Sequence, residues 1–338
     1  MKYPLKRRHY FSLARIVIGL LVAGLSSHLI ADTDTNAEPG DHSQKAILVT
    51  GASTGLGRML AESLASKGYF VYAGARKDKD MAELNAIENI QAVRLDVTDQ
   101  EQIDAAVVTI TEAGRGLHGL INNAGVGVLY PLASVPMSEF KWLMDVNLYG
   151  PVKVTQAFAP LIIASKGRIS TTGSISGILS GNMFGPYSMT KHAMEAFTDS
   201  LAVEMEPLGV HVSIIEPGNY ESEIVVNIMA RMKGEGYDQD DSPYKEIYNR
   251  LKGWEESDEP SGDPMQVANA ALHAMFDPNP KRRYLVVPNQ QQAAITIGKA
   301  VEELVQLNMD QQYSYSREEL IEMLDKALAP AQAVEESE

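Results

Sequence analysis

A hydroxyl, a phenol and an ammonium group occur together in the stretch from Arg168 to Lys191. Tyr187 and Lys191 are four residues apart, so on a helix their side chains share one face. Ser174 precedes Tyr187 by thirteen residues, where a β-branched run enters a loop rich in Ser and Gly. A nearby positive charge favours the phenolate, so we expect Lys191 to lower the Tyr187 pKa from its ordinary value of about 10. The pattern predicts proton transfer at Tyr187; the alternative is an exposed Tyr and Lys that share a helix face by chance.

A glycine-rich turn, TGASTGLG, occupies residues 50–57, between an apolar strand pattern and a helical pattern. A turn in this position directs backbone N–H groups and the helix dipole at an anion, most often a pyrophosphate. Glycine has no Cβ, so backbone and ligand can approach closely. We therefore predict that Gly51, Gly55 and Gly57 bind a dinucleotide; the alternative is an ordinary turn from strand to helix.

The end of the second predicted strand indicates which dinucleotide is bound. A carboxylate at that position would accept from the ribose 2′-hydroxyl of NAD, but the chain has Ala75 followed by Arg76. A guanidinium can bind a 2′-phosphate through two hydrogen bonds. Arg76 therefore favours NADP, and NAD is the alternative. Asp96 ends the third predicted strand and is placed to accept from the adenine amino group.

Further candidate residues follow the fourth and sixth predicted strands and interrupt one helix. Asn123 ends the run GLINN, where its side chain can bond to neighbouring main chain. Asn147 lies inside a predicted long helix over 137–165, which indicates a local kink or a simple bend. Pro217 and Gly218 end the sixth strand, VHVSIIEPG.

Strand and helix patterns alternate along most of the chain. This alternation predicts an α/β fold with a doubly wound parallel sheet of about seven strands and helices on both faces. Ligands of such sheets lie at the carboxyl ends of the strands. We therefore expect the glycine turn, Asn123, Ser174 and Pro217 to converge at one edge.

Composition excludes several other classes of protein. The formal net charge is −15, with 29 basic and 44 acidic residues, and no basic run follows the first fifteen residues. A nucleic-acid surface is therefore not expected. The chain has no cysteine, which excludes disulfides and thiol nucleophiles, and its seven histidines show no metal-ligand spacing. We predict no metal site.

The first 31 residues are typical of a targeting segment. Basic residues, including a pair at positions 7 and 8 that resembles a twin-arginine export signal, precede an apolar run from Ile16 to Leu25. The run is short for a membrane span, whereas Leu29 makes cleavage after Ala31 unfavourable. Two interpretations stay open: a cleaved export signal, or an uncleaved anchor that associates with a membrane through residues 11–30. Both predict the cell envelope rather than the cytoplasm.

The remaining chain divides into three parts. Residues 32–44 are polar and contain Pro and Gly, as is typical of a linker. The dinucleotide-binding domain is predicted over 45–288. Residues 289–338 form a helical extension with an acidic tail, which either covers the active-site edge or serves a homodimer or homotetramer interface.

Together these motifs resemble the short-chain dehydrogenase/reductase family, in its compact, non-extended branch. The resemblance covers about residues 45–288: TGASTGLG, NNAG at 122–125, the Ser–Tyr–Lys spacing, and the PG after strand six. It implies a Rossmann-type fold with strand order 3-2-1-4-5-6-7, and NAD or NADP as cofactor. It also implies a catalytic tetrad of Asn147, Ser174, Tyr187 and Lys191.

The resemblance also implies a role for each site residue. Ser174 would bind the substrate oxygen, Tyr187 would exchange its proton, Lys191 would hold the nicotinamide ribose, and Asn147 would support a water that relays protons. The implied cofactor-binding residues are Gly51, Ser53, Thr54, Gly55, Leu56, Gly57, Arg76, Asp96, Val97, Asn123, Ala124, Gly125, Tyr187, Lys191, Pro217, Gly218 and Ser222. Ser222 stands where the family usually has Thr.

The sequence EPGNYES at residues 216–222 and the C-terminal extension look closest to family members that act on steroids, retinoids and similar hydrophobic alcohols. The irregular stretch over 221–264 would form a lid over the substrate. Met229, Met232 and Trp254 could line an apolar pocket there, although such Met spacing is more often packing. Two other functions stay open: a dinucleotide sensor without turnover, and an epimerase or dehydratase of the same family.

Overall fold

A computed structural model describes residues 44–220, 223–232, 241–255 and 262–335. The predicted targeting segment, most of the linker and Ser222 lie outside these ranges. Among the described residues, no helix combines the length and apolar character needed to cross a bilayer.

The described residues form a seven-stranded parallel sheet with helices on both faces, as predicted. The strands are β1 (Ala46–Val49), β2 (Phe70–Ala75), β3 (Ile90–Arg94), β4 (Gly119–Asn122), β5 (Arg168–Thr172), β6 (His211–Pro217) and β7 (Arg283–Val286). Their order is β3-β2-β1-β4-β5-β6-β7, which confirms the order implied by the family resemblance. The order reverses between β1 and β4, and a ligand crevice is expected at such a point.

The helices connect these strands and continue beyond the last of them. They are α1 (Gly55–Ser66), α2 (Asp78–Asn85), α3 (Gln100–Glu112), α4 (Met137–Met144), α5 (Gly150–Ala164), α6 (Gly185–Met205), α7 (Glu223–Met232), α8 (Lys245–Glu255), α9 (Met265–Phe276), α10 (Gln290–Asn308) and α11 (Arg317–Glu335). The predicted kink in the helix over 137–165 is confirmed. A π-helical turn at Asp145–Tyr149 separates α4 from α5.

Alternate side chains of the central strands enter two separate cores, as the period of a strand requires. Ile47 and Val49 pack on one face in a cluster with Leu60 of α1 and Ala271 of α9. Leu48 faces the other way, in a cluster that includes Ile103 of α3 and Phe158 of α5. Because both faces are covered, the sheet is rigid and its carboxyl ends are held in fixed positions.

Candidate active site

The glycine turn is packed tightly against the end of β4. A Cβ on Gly57 would lie 2.2 Å from the Gly51 carbonyl oxygen and 2.4 Å from Asn123 Nδ2. The Asn123 amide itself donates to the Thr50 carbonyl over 3.1 Å. Gly55 has a φ of +55°, and the space next to its Cα is open. The turn is therefore closed towards the sheet and open towards a ligand at the start of α1.

A cavity of about 740 Å³ runs along the carboxyl ends of the strands from this turn to α6. Seventeen of the predicted site residues line it: Gly51, Ser53, Thr54, Gly55, Leu56, Gly57, Arg76, Asp96, Val97, Asn123, Ala124, Gly125, Ser174, Tyr187, Lys191, Pro217 and Gly218. Asn147 lies behind the lining residues, and Ser222 falls outside the described ranges. A cleft of this length, with a glycine turn at a helix N-terminus, fits a nicotinamide dinucleotide.

One end of the cavity carries the cation Arg76, which directly follows β2. The Arg76 guanidinium is 3.6 Å from the Asp96 carboxylate, and its side chain is two-thirds exposed, at 66%. Partial burial acts to raise the Asp96 pKa, but two hydrogen bonds from Thr98 and the charge of Arg76 lower it overall. Asp96 therefore stays ionised and keeps Arg76 beside the cavity.

The other end of the cavity brings Ser174, Tyr187 and Lys191 together. Lys191 is buried, its Nζ donates to the Thr172 carbonyl over 2.8 Å, and it lies 5.6 Å from the centroid of the Tyr187 ring. Ser174 begins a short 3-10 turn, and its hydroxyl accepts from the Ser176 amide over 3.1 Å. The predicted proximity of the phenol and the ammonium is therefore present in the fold.

Burial, rather than the neighbouring charge, dominates the protonation of this pair. It raises the pKa of Tyr187 to about 12, while a hydrogen bond with Ser174 acts in the opposite direction. Burial also lowers the pKa of Lys191 to about 8, although the charge of Glu195 acts to raise it. The Tyr187 pKa therefore lies above its ordinary value of about 10 and not below it, because desolvation of the phenolate outweighs the hydrogen bond with Ser174. Tyr187 is protonated at neutral pH and can donate.

Asn147 occupies the π-helical turn and holds the loop that follows β4. Its Oδ1 accepts from the Val126 amide, and its Nδ2 donates to the Val126 carbonyl, both over 2.8 Å. The same Nδ2 donates to Thr190 Oγ1 over 3.2 Å. Asn147 thus connects the wall of the cavity to α6, close to Lys191.

Helix α7, in the stretch predicted to form a lid, has some residues in an apolar cluster and others along the cavity. Met229 and Met232 are buried in a cluster with Leu129 and Met183, as their spacing favours. The side chain of Trp254 lies outside the described part of the chain. Among the α7 residues whose side chains the structure describes, Asn227, Ala230 and Arg231 line the cavity, and none of them was predicted.

Several other lining residues were also missed, because their residue types alone do not mark them as ligand contacts. They are Gly74, Ala75, Lys77, Asp80, Leu95, Val126, Gly127, Trp142, Val146, Thr172, Gly173 and Tyr220. Most flank predicted motifs, so the strand ends themselves were the available signal. No group of three or more potential metal ligands occurs among the described residues.

Comparison with known proteins places the chain in one family. The family model described as short chain dehydrogenase matches residues 45–233. The chain is 35% identical over 270 residues to the mitochondrial D-beta-hydroxybutyrate dehydrogenase of Mus musculus, covering 72% of this chain and 76% of the relative. It is 34% identical over 271 residues to a 3beta-hydroxysteroid dehydrogenase of Caenorhabditis elegans, covering 72% and 69%.

A solved structure agrees with this assignment. A short-chain dehydrogenase from Streptomyces avermitilis matches with a TM-score of 0.67 at 27% identity, covering 78% of this chain and 94% of the other. The chain belongs to the short-chain dehydrogenase/reductase family, as its motifs predicted. It is an oxidoreductase of that family, acting on CH–OH groups.

Proposed function

We propose that the protein interconverts an alcohol and a carbonyl compound with NADP(H), using Tyr187 as the acid and base. The convergence of Ser174, Tyr187 and Lys191 at one end of the cavity carries this proposal. A dinucleotide sensor would need only the glycine turn and the strand ends. The buried Lys191 ammonium lies 5.6 Å from the centre of the Tyr187 ring. A pair of this kind serves proton transfer, which a sensor does not need.

Each residue has a definite role in the proposed reaction. The Ser174 hydroxyl binds the substrate oxygen and orients the carbonyl carbon. Tyr187, protonated at neutral pH, donates its proton to that oxygen in reduction and takes it back in oxidation. The nicotinamide ring supplies or accepts the hydride when the cofactor is bound. Lys191, held by the Thr172 carbonyl, presents its ammonium group beside the phenol.

The cofactor would extend along the lined cavity, with its pyrophosphate at the N-terminus of α1. Gly51, Gly55 and Gly57 would leave room for it, and Asn123 would fix the turn. Asp96 would face the adenine and Arg76 the 2′-phosphate. Ser222, which lies outside the described ranges, is proposed to contact the nicotinamide amide of the cofactor.

Replacement of Arg76 tests the preference for NADP. We expect Arg76→Ala to raise the Kd for NADPH by about tenfold, because a charged contact to phosphate is lost, and to leave the Kd for NADH unchanged. Fluorescence titration with each dinucleotide measures both constants. Arg58→Ala is the matched control, since Arg58 pairs with Glu62 and Glu83 on the helix surface. Equal weakening of NADPH and NADH by Arg76→Ala would contradict the assignment.

For the substrate, we propose a small hydrophobic alcohol, primary or secondary, or the matching carbonyl compound, of steroid or retinoid type. Trp142, Val126 and Val146 supply apolar surface to the cavity. Arg231 is neutralised within the lid, because it pairs with Glu139 over 2.5 Å and its guanidinium lies 3.9 Å from the Trp142 ring centre. Oxidation of a panel of primary and secondary hydrophobic alcohols, measured by the absorbance of the reduced nicotinamide, tests this class.

We propose that the protein acts in the cell envelope, carried there by the basic and apolar segment over 1–31, and that residues 32–44 join it to the domain. The net charge of −15, and a sequence without a basic run after residue 15, argue against a nucleic-acid partner. The extension over 289–338 is proposed to cover the site or to join subunits in a homodimer or homotetramer. Cell fractionation of the full chain and of a chain without residues 1–31 distinguishes envelope from cytoplasm.

A further inference from the structure

A single guanidinium faces three carboxyl groups behind the active site. Arg283, on β7, lies 3.1 Å from Glu195 and 2.7 Å from Asp199, both on α6. It also lies 3.6 Å from Glu216 on β6. Asp199 is half-exposed at its side chain, whereas Glu195 and Glu216 are 13% and 2% exposed. Two of the three acids are therefore largely removed from water.

The two buried acids converge on one nitrogen atom. Arg283 Nε lies 3.1 Å from a Glu195 carboxyl oxygen and 3.6 Å from a Glu216 carboxyl oxygen, and a hydrogen bond between the two acids is among the causes of their shifted pKa values. The Oε1 atoms of Glu195 and Glu216 are both buried. Within the described chain, neither of them accepts a hydrogen bond from an N–H or O–H group. Two carboxyl groups can form a hydrogen bond with each other only if one of them carries a proton. If both were ionised, their negative charges would repel each other strongly, so ionisation of both groups is opposed.

We propose that Glu195 and Glu216 share one proton at neutral pH and, in this form, act as positioning residues that join the segments bearing the catalytic groups. Arg283 Nε is closer to Glu195 than to Glu216, so Glu195 is the ionised partner. Glu216 is then the acid that donates to it. Burial, followed by the charge of Glu195, raises the pKa of Glu216 to about 8, in agreement with this arrangement.

The pair lies where three catalytic segments meet. Glu195 is one helical turn beyond Lys191. Its Oε1 also packs on Gly177, where an added Cβ would be only 2.7 Å away, in the 3-10 turn that starts at Ser174. Glu216 directly precedes Pro217, which lines the cavity. Ionised Glu195 acts to raise the Lys191 pKa against burial.

The charged groups around the pair are few and can be named. Lys191 and Asp199 face it from α6, and Arg283 faces it from β7; Arg282 acts on Asp199. The folded pKa of Glu216 lies above its unfolded value of 4.5. The stability that it contributes is therefore complete below pH 4.5 and is lost as the pH rises through about 8. The lowered pKa of Lys191 has the opposite effect, because it makes the stability of the fold increase with pH. This increase begins only near pH 8.

The substitution Glu216→Gln tests the shared proton without reference to any activity. Glutamine donates permanently to Glu195 and does not titrate. We measure the denaturant midpoint of the full-length wild type and variant from pH 4 to pH 9. The wild type should lose stability as Glu216 ionises, whereas the variant should not. The denaturant midpoint of the variant minus that of the wild type should therefore be smallest near pH 4.5, increase with pH, and level off above about pH 8.

A control and a spectroscopic measurement complete this test. Glu204→Gln, at an exposed position of α6, should give a difference that does not change with pH. Infrared spectra of the wild type at pH 7 should contain the C=O stretch of a protonated carboxyl group, absent from Glu216→Gln. A flat midpoint difference for Glu216→Gln would overturn the proposal. If that variant fails to fold, absence of the band from the wild type would overturn it.

The positioning role has a separate readout, which rests on the proposed function. In Glu195→Gln the charge that favours protonated Lys191 is lost, so the alkaline limb of the pH profile of kcat/KM should move to lower pH. Glu204→Gln should leave the limb in place. A lower rate for Glu195→Gln with an unmoved limb would overturn the positioning role. If no substrate is turned over, the proposed function fails while the unfolding test still decides the shared proton.

Discussion

Tyr187→Phe should abolish turnover while the protein still binds its dinucleotide. The variant keeps the ring, which lines the cavity, and removes only the hydroxyl that exchanges a proton with the substrate oxygen. General acid catalysis of this kind contributes about 10²- to 10⁴-fold, so we expect kcat to fall by at least that range. The Kd for NADPH should change less than about threefold, because no phosphate contact is touched.

The control for this substitution is another Tyr→Phe change. Tyr313 is 72% exposed and far from the cavity in sequence, so Tyr313→Phe should leave both kcat and Kd unchanged. Both variants are assayed by nicotinamide absorbance with one alcohol from the panel. Wild-type turnover in Tyr187→Phe would remove Tyr187 from the reaction, whatever the substrate.

Gly57→Ala should prevent dinucleotide binding and destabilise the domain. The new methyl group would lie 2.2 Å from the Gly51 carbonyl oxygen, and the atom that it meets belongs to the backbone. Either the turn or the start of α1 must shift, which costs about 1–3 kcal/mol or more. The shift also moves the N–H groups that face the pyrophosphate. We expect a lower melting temperature and no saturable NADPH binding.

A second Gly→Ala substitution separates this steric effect from a general one. Gly298 lies inside α10, with no atom within 4 Å of the position of a new Cβ. Gly298→Ala should stabilise the protein by about 0.5–1 kcal/mol through helix propensity and leave binding unchanged. Normal binding by Gly57→Ala would show that the turn does not hold the cofactor.

The fold could be predicted from local patterns because its signals are local. Apolar strands, helical patterns and the TGASTGLG turn alternate in the sequence, and a parallel sheet follows from that alternation. The kink at Asn147 was indicated by a poor helix former next to Gly150 and Pro151. The strand order came from family resemblance, since the alternation alone does not determine it.

The electrostatics of the site could not be predicted in the same way. The spacing of Tyr187 and Lys191 gave their proximity, but the dominant effect is burial, which arises from packing of α6 against the sheet. The cluster at Arg283 joins residues up to 88 positions apart. One signal was available: Glu216 is a carboxylate inside the otherwise apolar end of a strand that must be buried.

The lid illustrates a third limit. Met229 and Met232 were candidates for an apolar pocket, yet they pack in a cluster with Leu129 and Met183, and Asn227 and Arg231 line the cavity. Which face of a short helix points inward depends on the helices that it packs against. Sequence spacing supplies the faces but does not choose between them.

We expect a dinucleotide to bind in the cavity between the glycine turn and Tyr187. Fluorescence titration of the purified full-length chain with NADPH tests it most directly. Saturable binding to the wild type and to Tyr187→Phe, together with none to Gly57→Ala, is the predicted result. Failure of the folded wild type to bind either NADPH or NADH would contradict it, and the catalytic roles assigned to Ser174, Tyr187 and Lys191 would fail with it.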